Sequence, residues 1–263
     1  SLSCALIAGK GDHMQRDYWY TLSRRASDLE SPAAVGRRAA ERTLRRLGAR
    51  KLSTRTVPVL FVPELARGFV GHLVGAIKGG AQYRKASFLL GAAGTQVLPD
   101  WFSIDELPHM PRGMGSAPFD AEGVATHDRA LVEAGVLQDY VLSTYSARRL
   151  GLQTTGNAGG VHNLVMRGDG PDFTALVSQM NRGLIVTELM GQGVNGVTGD
   201  YSRGASGFWV EGGEIVHPVH EVTIAGNLRE LYLDIQAVGS DVDRRGVIQS
   251  GSLLVGRMTV AGD

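Results

Sequence analysis

The sequence predicts an α+β domain with a largely antiparallel, barrel-like sheet and several packed helices. Many short apolar or β-branched runs alternate with turn residues, and neighbouring runs separated by short glycine turns are typical of β-hairpins. About four helical stretches lie among these runs without regular strand–helix alternation, so parallel βαβ units are not the dominant pattern. The 36 glycines are dispersed among apolar segments, which indicates tight turns and close backbone approaches rather than disorder.

Composition gives no general reason to expect a nucleic-acid or membrane partner. At 263 residues the chain can bury a full core, and we expect residues 1–263 to form a single domain. The net charge of +1 does not favour nucleic-acid binding. No apolar run approaches the roughly 20 residues that a membrane span needs. The one cysteine, Cys4, excludes an internal disulfide and fits a reducing cytoplasm, which is the expected location.

The chain is organised around a buried strand that leads into a buried helix. Residues 59–62 form a short apolar run between Pro58 and Pro63, which is typical of a buried strand. Pro63 then suits the first turn of a helix, and Glu64 places a negative charge there that the helix dipole favours. A wide apolar stripe continues this helix, and the glycine pair 79–80 is predicted to end it.

The segment before this centre predicts two strands and one helix. Residues 1–8 and 17–22 are apolar or aromatic runs that predict strands. Ser31 and Pro32 form a helix-start signal, and the helix is predicted to end near Leu47. Its polar face carries five arginines: Arg37, Arg38, Arg42, Arg45 and Arg46. A solvated face is the first interpretation, and a contact for an acidic partner is the alternative.

The second half predicts short elements joined by glycine-rich segments. Residues 91–118, which are rich in proline, predict a long loop, and residues 124–142 predict a hairpin. The later predicted elements are a helix at 172–182, a strand at 183–190, a hairpin at 208–219, a strand at 221–225, a helix from 228 that carries Ile235 and ends at Gly239, and C-terminal strands at 247–248 and 252–260.

Two glycine-rich segments are candidate binding surfaces, because function concentrates on loops more than in core elements. The cluster at 154–162 lacks the lysine and the spacing of a phosphate-binding loop. That leaves a tight bend in a sheet or a backbone platform for a peptide. The predicted long loop at 191–207 carries Asp200 and Arg203, which could brace the loop or face a peptide channel.

The helix after Pro63 has the sequence context in which a zincin-type metalloprotease carries its ligands. Such a helix holds two histidines on one face and a glutamate that acts as the general base. Here Glu64 is present, both ligand histidines are absent, and His72 lies two turns later. A single histidine does not make a metal site.

Ordered matches through nearly the whole chain carry a resemblance to a known family. The strongest are MQRDYWYT (14–21), RKLSTRTVPVLF (50–61), GGAQYRKASFL (79–89), PFDAEGVAT (118–126), TGNAGGVHN (155–163), TELMGQGVNGVTGDYSRGASGFWVEGGEI (187–215) and VGSDV (238–242). With these segments the chain resembles the TldD/PmbA protease family, once described as modulators of DNA gyrase. Within that family it is similar to the C-terminal domain of the PmbA or TldE branch, and we expect the family's N-terminal domain to be absent from this chain.

The resemblance implies a degenerate metal site. The TldD branch carries H-E-x-x-x-H on the central helix and a cysteine near the C-terminus. On this chain those positions fall at Pro63, Glu64, Gly68 and, at or beside it, Ser250. The resemblance therefore implies no catalytic residue, no metal ligand and no cofactor here, with zinc expected only in a TldD-type partner.

The implied function is that of the non-metal-binding subunit of a protease complex that processes or degrades unfolded peptides. The subunit is expected to be active as a heterodimer with a TldD-type protease subunit, and a self-dimer stays open. Extended peptides are expected to bind by strand addition to a sheet edge. The residues expected to contact peptide or partner are Asn157, Gly159, Gly160, His162, Asp200, Tyr201, Ser202 and Arg203.

Two other functions are weighed against this one. The first is a non-proteolytic binding or regulatory module linked to DNA gyrase, as the older family name suggests. The second is a self-sufficient hydrolase that uses Ser250 or Ser202 as its nucleophile. The sequence has no G-x-S-x-G nucleophile elbow to support that hydrolase.

Overall fold

The computed structural model of the protein describes residues 1–167 and 170–262. Within these residues the helices are α1 Pro32–Arg45, α2 Pro63–Ile77, α3 Gly79–Tyr83, α4 Thr144–Leu150, α5 Phe173–Met180 and α6 Leu228–Leu233. The strands in the same ranges are β1 Leu2–Ala8, β2 Gln15–Thr21, β3 Arg55–Phe61, β4 Ser103–Glu106, β5 Arg129–Glu133, β6 Val136–Leu137, β7 Leu164–Arg167, β8 Gly183–Met190, β9 Asp200–Glu211, β10 Glu214–Asn227, β11 Ile235–Val238, β12 Ile248–Gln249 and β13 Leu253–Ala261. Every helix described is too short or too polar to cross a membrane.

Strands at the centre of the fold close into a ring. Their order is β10-β9-β8-β3-β13, and β10 pairs back onto β13 through residues 223–225 and 259–261. The β3–β8 pair is parallel, and the other pairs of the ring are antiparallel. β11 extends the sheet beyond β13. The predicted α+β class with a largely antiparallel, barrel-like sheet is therefore confirmed.

Alternation along β3 divides its side chains between two apolar clusters. Val59 and Phe61 lie in the main core with residues of α2, whereas Leu60 packs into a smaller cluster with residues of α5. Successive side chains of a strand point to opposite faces, so a strand covered by helices on both faces has an uninterrupted apolar run. The strand and helix predicted on either side of Pro63 are confirmed.

A second sheet has the strand order β12-β7-β4-β5-β6 within the described residues. Its strand β4 lies inside residues 91–118, so the prediction of a continuous loop there is wrong. The four residues of β4 include Asp105 and Glu106, which are poor strand formers in isolation. Each pairs with an arginine on a neighbouring strand, Arg167 for Asp105 and Arg129 for Glu106, and these cross-strand pairs stabilise β4.

The first two strands form a separate antiparallel pair that α1 covers. The Ser31 hydroxyl accepts a hydrogen bond from the Ala34 N–H at 3.2 Å, and Pro32 begins the helix. This cap satisfies one of the N–H groups that have no partner in the first turn of a helix. Both predicted strands and the predicted start of this helix are confirmed.

The predicted glycine loop at 191–207 is wrong in its second half. β9 begins at Asp200, so Tyr201, Ser202 and Arg203 lie on a strand. A Cβ at Gly207 would lie 1.7 Å from the carbonyl oxygen of Ile185 on β8. Glycine therefore permits a close approach between two strands at this position, and it does not mark a loop.

Two predicted helix ends also differ from the structure. α2 ends at Ile77 because Lys78 is extended, and Gly79 begins α3 instead of ending α2. α6 ends at Leu233, and Ile235 begins β11, where it pairs with Val255. Strand pairing with β13 thus outweighs the helical spacing of the apolar residues in this segment.

Candidate functional site

Three of the four positions of the implied degenerate site lie on the first two turns of α2. Pro63 is the first residue of the helix, and Glu64 follows it in the first turn. Gly68 lies further along, where an added Cβ would meet no atom within 4 Å. Neither Pro63 nor Gly68 has a side-chain atom that could bind a metal ion.

The fourth position, Ser250, is connected to α2 through Asp243. The Ser250 carbonyl accepts a hydrogen bond from the Asp243 N–H at 2.9 Å. The Asp243 carboxylate in turn lies 3.6 Å from Arg67 Nη1 on α2. Ser250 itself is buried, and its hydroxyl donates to the Gly251 carbonyl at 2.7 Å. The structure therefore holds the late segment beside the helix, although Ser250 presents its hydroxyl to backbone.

The Glu64 carboxylate is held by two arginines. Its Oε1 lies 3.0 Å from Arg42 Nη1 and 3.7 Å from Arg245 Nη2. The side chain of Glu64 is only 13% exposed, so these ion pairs are shielded from bulk water. The carboxylate is therefore paired with guanidinium groups of the protein itself.

Asp243 is the second carboxylate of the same cluster. Its Oδ1 accepts a hydrogen bond from Arg245 Nε at 2.8 Å. Burial would raise the pKa of Asp243, but the hydrogen bonds from Arg245 and the charges of Arg245 and Arg67 hold that pKa below its usual value. Asp243 therefore stays ionised between the two guanidinium groups.

The cluster also includes Asp17 on β2 and Glu188 on β8. The Asp17 carboxylate lies 3.3 Å from Arg42 Nε and 3.7 Å from Arg46 Nη1, and Arg46 also pairs with Glu188. Arg46 is buried, and Arg42 is mostly so. The interpretation of the α1 arginines as a solvated face is therefore wrong for Arg42 and Arg46, because buried carboxylates from other elements neutralise them.

Aromatic side chains of β2 cover Arg245. Its guanidinium carbon lies 4.1 Å from the centre of the Trp19 ring and 4.3 Å from that of Tyr20. Arg245 Nη1 also donates to the Tyr20 carbonyl at 2.6 Å, and Arg67 Nη2 donates to the Tyr20 hydroxyl at 2.8 Å. These contacts attach the β1–β2 pair to the segment beside α2.

A cavity of about 600 Å³ lies against this cluster. Its wall includes Pro63 and Glu64 together with residues of β2, α1, β8, β9 and the segment 241–245. We call it the arginine cavity after the arginines in its wall: Arg38, Arg42, Arg45, Arg244 and Arg245. The start of α2, which corresponds to the place of the zinc ligands in the TldD branch, therefore faces a cavity rich in arginines.

The residues at this place do not fit a zinc ion. Catalytic zinc takes three protein ligands from histidine nitrogen, cysteine sulfur or carboxylate oxygen. Glu64 is the one carboxylate among the implied positions, and Arg42 and Arg245 already pair with it. In residues 1–167 and 170–262, no group of three or more histidine, cysteine, aspartate or glutamate side chains could hold a metal ion.

Asn157 supports the predicted glycine platform at 154–162 through hydrogen bonds of its side-chain amide. Its Nδ2 donates to Glu106 Oε1 at 2.7 Å, and its Oδ1 accepts from Arg129 Nη2 at 2.9 Å. Glu106 Oε1 also accepts the His162 N–H at 2.7 Å. Because Asn157 is buried and engaged on both sides of its amide, it supports the bend and is not accessible to a peptide.

Gly159, Gly160 and His162 line an open groove of about 420 Å³ beside the exposed Phe119. The His162 Nδ1 lies 3.1 Å from the Gly115 carbonyl, and its Nε2 lies 3.2 Å from a second backbone carbonyl. Both ring nitrogens thus lie against backbone carbonyls of two loops, which fixes the orientation of the imidazole. The groove stays a predicted contact for peptide or partner.

The second predicted set, on β9, lies apart from that groove. Asp200 accepts a hydrogen bond from the Thr198 hydroxyl at 2.6 Å, and Arg203 Nε donates to the Met190 carbonyl at 3.5 Å. Ser202 is exposed, whereas Tyr201 is buried. No ion pair joins Asp200 to Arg203 in the part of the chain described, because residues three apart on a strand point to opposite faces. In residues 1–167 and 170–262, no hydrogen bond, ion pair or ring contact links these four residues to the residues that line the groove.

Tyr201 packs on α2 beside His72. The two rings lie 6.0 Å apart at 72°, which is an edge-to-face arrangement. Burial raises the pKa of Tyr201 to about 12, with a smaller opposing effect from the charge of Arg203. Burial also lowers the pKa of His72, and the positive charge of Arg203 lowers it further. His72 is therefore kept neutral by its surroundings.

We expect this histidine to make the fold less stable in acid. Its pKa is lowered from the usual value of about 6.5, so its contribution is fully present above that pH and is lost as pH falls towards the lowered pKa. A His72→Gln variant should lose stability less steeply below about pH 6.5, by at most about 1.4 kcal/mol per pH unit.

The measurement is the free energy of unfolding in urea across this pH range. His13→Gln, which removes an exposed histidine, is the matched control and should follow the parent curve. Identical slopes for the parent and the His72→Gln variant would contradict the expectation.

Sequence reasoning missed the charged cluster beside α2. Its members Asp17, Arg42 and Glu188 lie on three separate elements, and Asp243 and Arg245 lie together on the segment 241–245. No local spacing links that segment to the three elements. The strongest available signal was the charged run at 241–245, which overlaps the end of the VGSDV match at 238–242. That signal could have indicated that the segment is buried beside opposite charges. It could not have identified the residues that carry those charges.

Family models match two consecutive parts of the chain. Residues 54–262 match the PmbA/TldA metallopeptidase C-terminal domain, and residues 1–47 match the PmbA/TldA metallopeptidase central domain. The boundary between the matches falls between α1 and β3. The ion pairs of Arg42 with Glu64 and of Arg46 with Glu188 therefore join the two matched parts.

Curated relatives cover the whole chain. It is 53% identical over 262 residues to the metalloprotease PmbA of Escherichia coli O157:H7, covering 100% of this chain and 58% of the relative. It is 52% identical over 264 residues to a PmbA homologue of Haemophilus influenzae, with the same two coverages. The chain thus spans 58% of the length of these relatives.

Solved structures share the fold over nearly the whole chain. A proposed modulator of DNA gyrase from Bacteroides thetaiotaomicron superposes with a TM-score of 0.94 at 30% identity, covering 99% of this chain and 59% of that one. TldE from Thermococcus kodakarensis has a TM-score of 0.85 at 22% identity, covering 99% of this chain and 62% of that one, which shows a common fold. With the family models and the curated relatives, these matches show that the chain belongs to the PmbA/TldD metallopeptidase family.

Proposed function

We propose that this chain is part of a non-metal-binding subunit of a PmbA/TldD-type metallopeptidase, and that a TldD-type partner supplies the zinc. One observation carries the proposal: Glu64 pairs with Arg42 and Arg245 at the position where the TldD branch carries the glutamate of its zinc motif. A divalent cation brought there would meet two guanidinium groups, and the flanking positions Pro63 and Gly68 offer no ligand atoms.

The substrates in this proposal are unfolded or extended peptides. The names of the curated relatives support peptide hydrolysis as the activity of the complete assembly. A serine hydrolase acting through Ser250 is not supported, because the Ser250 hydroxyl is buried and donates to the Gly251 carbonyl rather than to a basic side chain. The names of solved relatives as DNA gyrase modulators motivate the regulatory alternative, but no described residue of this chain favours it.

The test combines metal analysis with reconstitution. We expect the purified chain to hold no stoichiometric zinc, and peptide cleavage by a TldD-type subunit to rise by about tenfold or more when the chain is added. A chain carrying Glu64→Gln is a useful comparison, since it should leave zinc content unchanged if Glu64 does not serve a metal. One tightly held zinc per isolated chain would sink the proposal, and so would unchanged cleavage together with recovery of gyrase alone in a pull-down.

A further inference from the structure

The arginine cavity contains guanidinium groups that the protein does not neutralise. Arg38, Arg45 and Arg244 are exposed and lie in its wall. None of the three forms an ion pair or a side-chain hydrogen bond with another described residue. The other two arginines of the wall, Arg42 and Arg245, form ion pairs with carboxylates. Those carboxylates belong to Asp17, Glu64 and Asp243.

Two of the free guanidinium groups are held in place by aromatic rings. Arg38 lies 4.6 Å from the centre of the Trp19 ring, and Arg45 lies 5.0 Å from that of Phe208. Such stacking restricts the long side chain while its N–H groups in the guanidinium plane stay available. A planar anion could therefore be bound with little further loss of side-chain entropy.

The carboxylates of the wall are turned towards internal partners. Asp241 accepts hydrogen bonds from the Ser252 N–H at 2.8 Å and the Ser252 hydroxyl at 2.7 Å. Glu30 accepts the Trp19 indole N–H at 3.0 Å and is the exposed carboxylate among the lining residues. Formal charges in the wall balance, but the groups that face an incoming ligand are mainly donors.

Apart from Thr187, the remaining wall is apolar. Val62, Phe173, Ile185, Phe208 and Ile215 line the cavity beside the arginines. Its volume of about 600 Å³ is typical of a site for a small molecule or a short chain segment. A suitable ligand therefore joins a carboxylate to an apolar group.

We propose that the arginine cavity binds the free carboxyl terminus of a peptide whose last side chain is apolar. Arg38, Arg45 and Arg244 hold the terminal carboxylate, and the apolar wall receives the last side chain. The choice of a peptide rests on the proposed function, since the assembly that this chain joins acts on peptides. The carboxylate chemistry rests on the cavity alone.

The probe is the N-acetylated peptide Ala-Ala-Leu with a free carboxyl terminus, titrated into the full chain by calorimetry without any metal-binding subunit. Its carboxamide counterpart has the same apolar side chain and no terminal charge. We expect the amide to bind at least about tenfold more weakly than the acid. Octanoate, a carboxylate on an apolar chain without peptide groups, should also bind at least about tenfold more weakly than the peptide acid.

Variants distinguish the cavity from the rest of the arginine-rich surface. Arg38→Gln and Arg244→Gln should each weaken binding of the acid by about fivefold to tenfold, and Glu30→Gln should strengthen it by about twofold. Arg37→Gln is the matched control, because Arg37 is an exposed arginine on the same helix outside the cavity wall. It should bind like the parent.

Equal binding of acid and amide, or parent-like binding by both cavity variants, would overturn the proposal. Octanoate binding as tightly as the peptide would overturn the peptide as ligand and leave a carboxylate site. All of these outcomes are read on the chain alone. They are therefore distinct from failure of the proposed function, which is read from zinc content and from activity of the mixed subunits.

Discussion

An Arg245→Met variant is expected to lower the free energy of unfolding by about 3 kcal/mol. Arg245 pairs with Asp243 at 2.8 Å and with Glu64 at 3.7 Å, and both carboxylates are largely buried. Methionine keeps much of the stem but removes the guanidinium group, so two carboxylates lose a partner without gaining water. The contacts with Trp19 and Tyr20 are lost as well.

Two further variants make this result specific. Arg244→Met removes the neighbouring exposed arginine, and its effect on stability should stay within about 0.5 kcal/mol. Adding Asp243→Asn to Arg245→Met should recover part of the loss, because it removes one of the uncompensated buried charges. All are measured by urea denaturation. Similar losses for Arg244→Met and Arg245→Met would contradict the role given to Arg245.

Much of the fold follows from local sequence patterns. The short apolar run before Pro63 predicts β3, and Gly212 and Gly213 mark the β9–β10 turn, where both have positive φ. Closure of the ring could not be predicted in this way. It depends on three residues of β10 pairing with three of β13 across a long stretch of chain, and no local pattern records that pairing.

The errors have a common physical origin. Gly207 contributed to the loop prediction for residues 191–207, but close strand approach is a second reason for glycine, and it depends on the partner strand. Acidic Asp105 and Glu106 concealed β4 for a similar reason, since arginines on neighbouring strands stabilise it. In each case a contact distant in sequence outweighs local propensity.

For the candidate site, the sequence predicted only that metal-ligating residue types are absent from the family's ligand positions. The family pattern identifies Pro63, Gly68 and Ser250 as positions without metal ligands, because the expected residue types are simply absent. The ion pairs that hold Glu64 were not predictable from the sequence. Arg42 lies on a helix face whose sequence pattern predicts exposure to solvent. The carboxylates that pair with it come from β2 and α2.

The other large effect is expected from Phe69→Ala, which should lower the free energy of unfolding by about 4 kcal/mol. Phe69 is 2% exposed, and its ring lies 5.2 Å from that of Phe61 and 5.0 Å from that of Tyr232. Alanine favours a helix, so the loss should come from the cavity and the broken aromatic contacts rather than from the backbone of α2. Phe119→Ala is the matched control, because Phe119 is 59% exposed and its replacement should lower the free energy of unfolding by less than about 0.5 kcal/mol.

The Phe69→Ala variant should also weaken binding of the peptide acid, because α2 carries Glu64 into the wall of the arginine cavity. A Phe69→Ala chain that is less stable but binds the peptide acid like the parent would mean that this aromatic packing does not position the cavity wall.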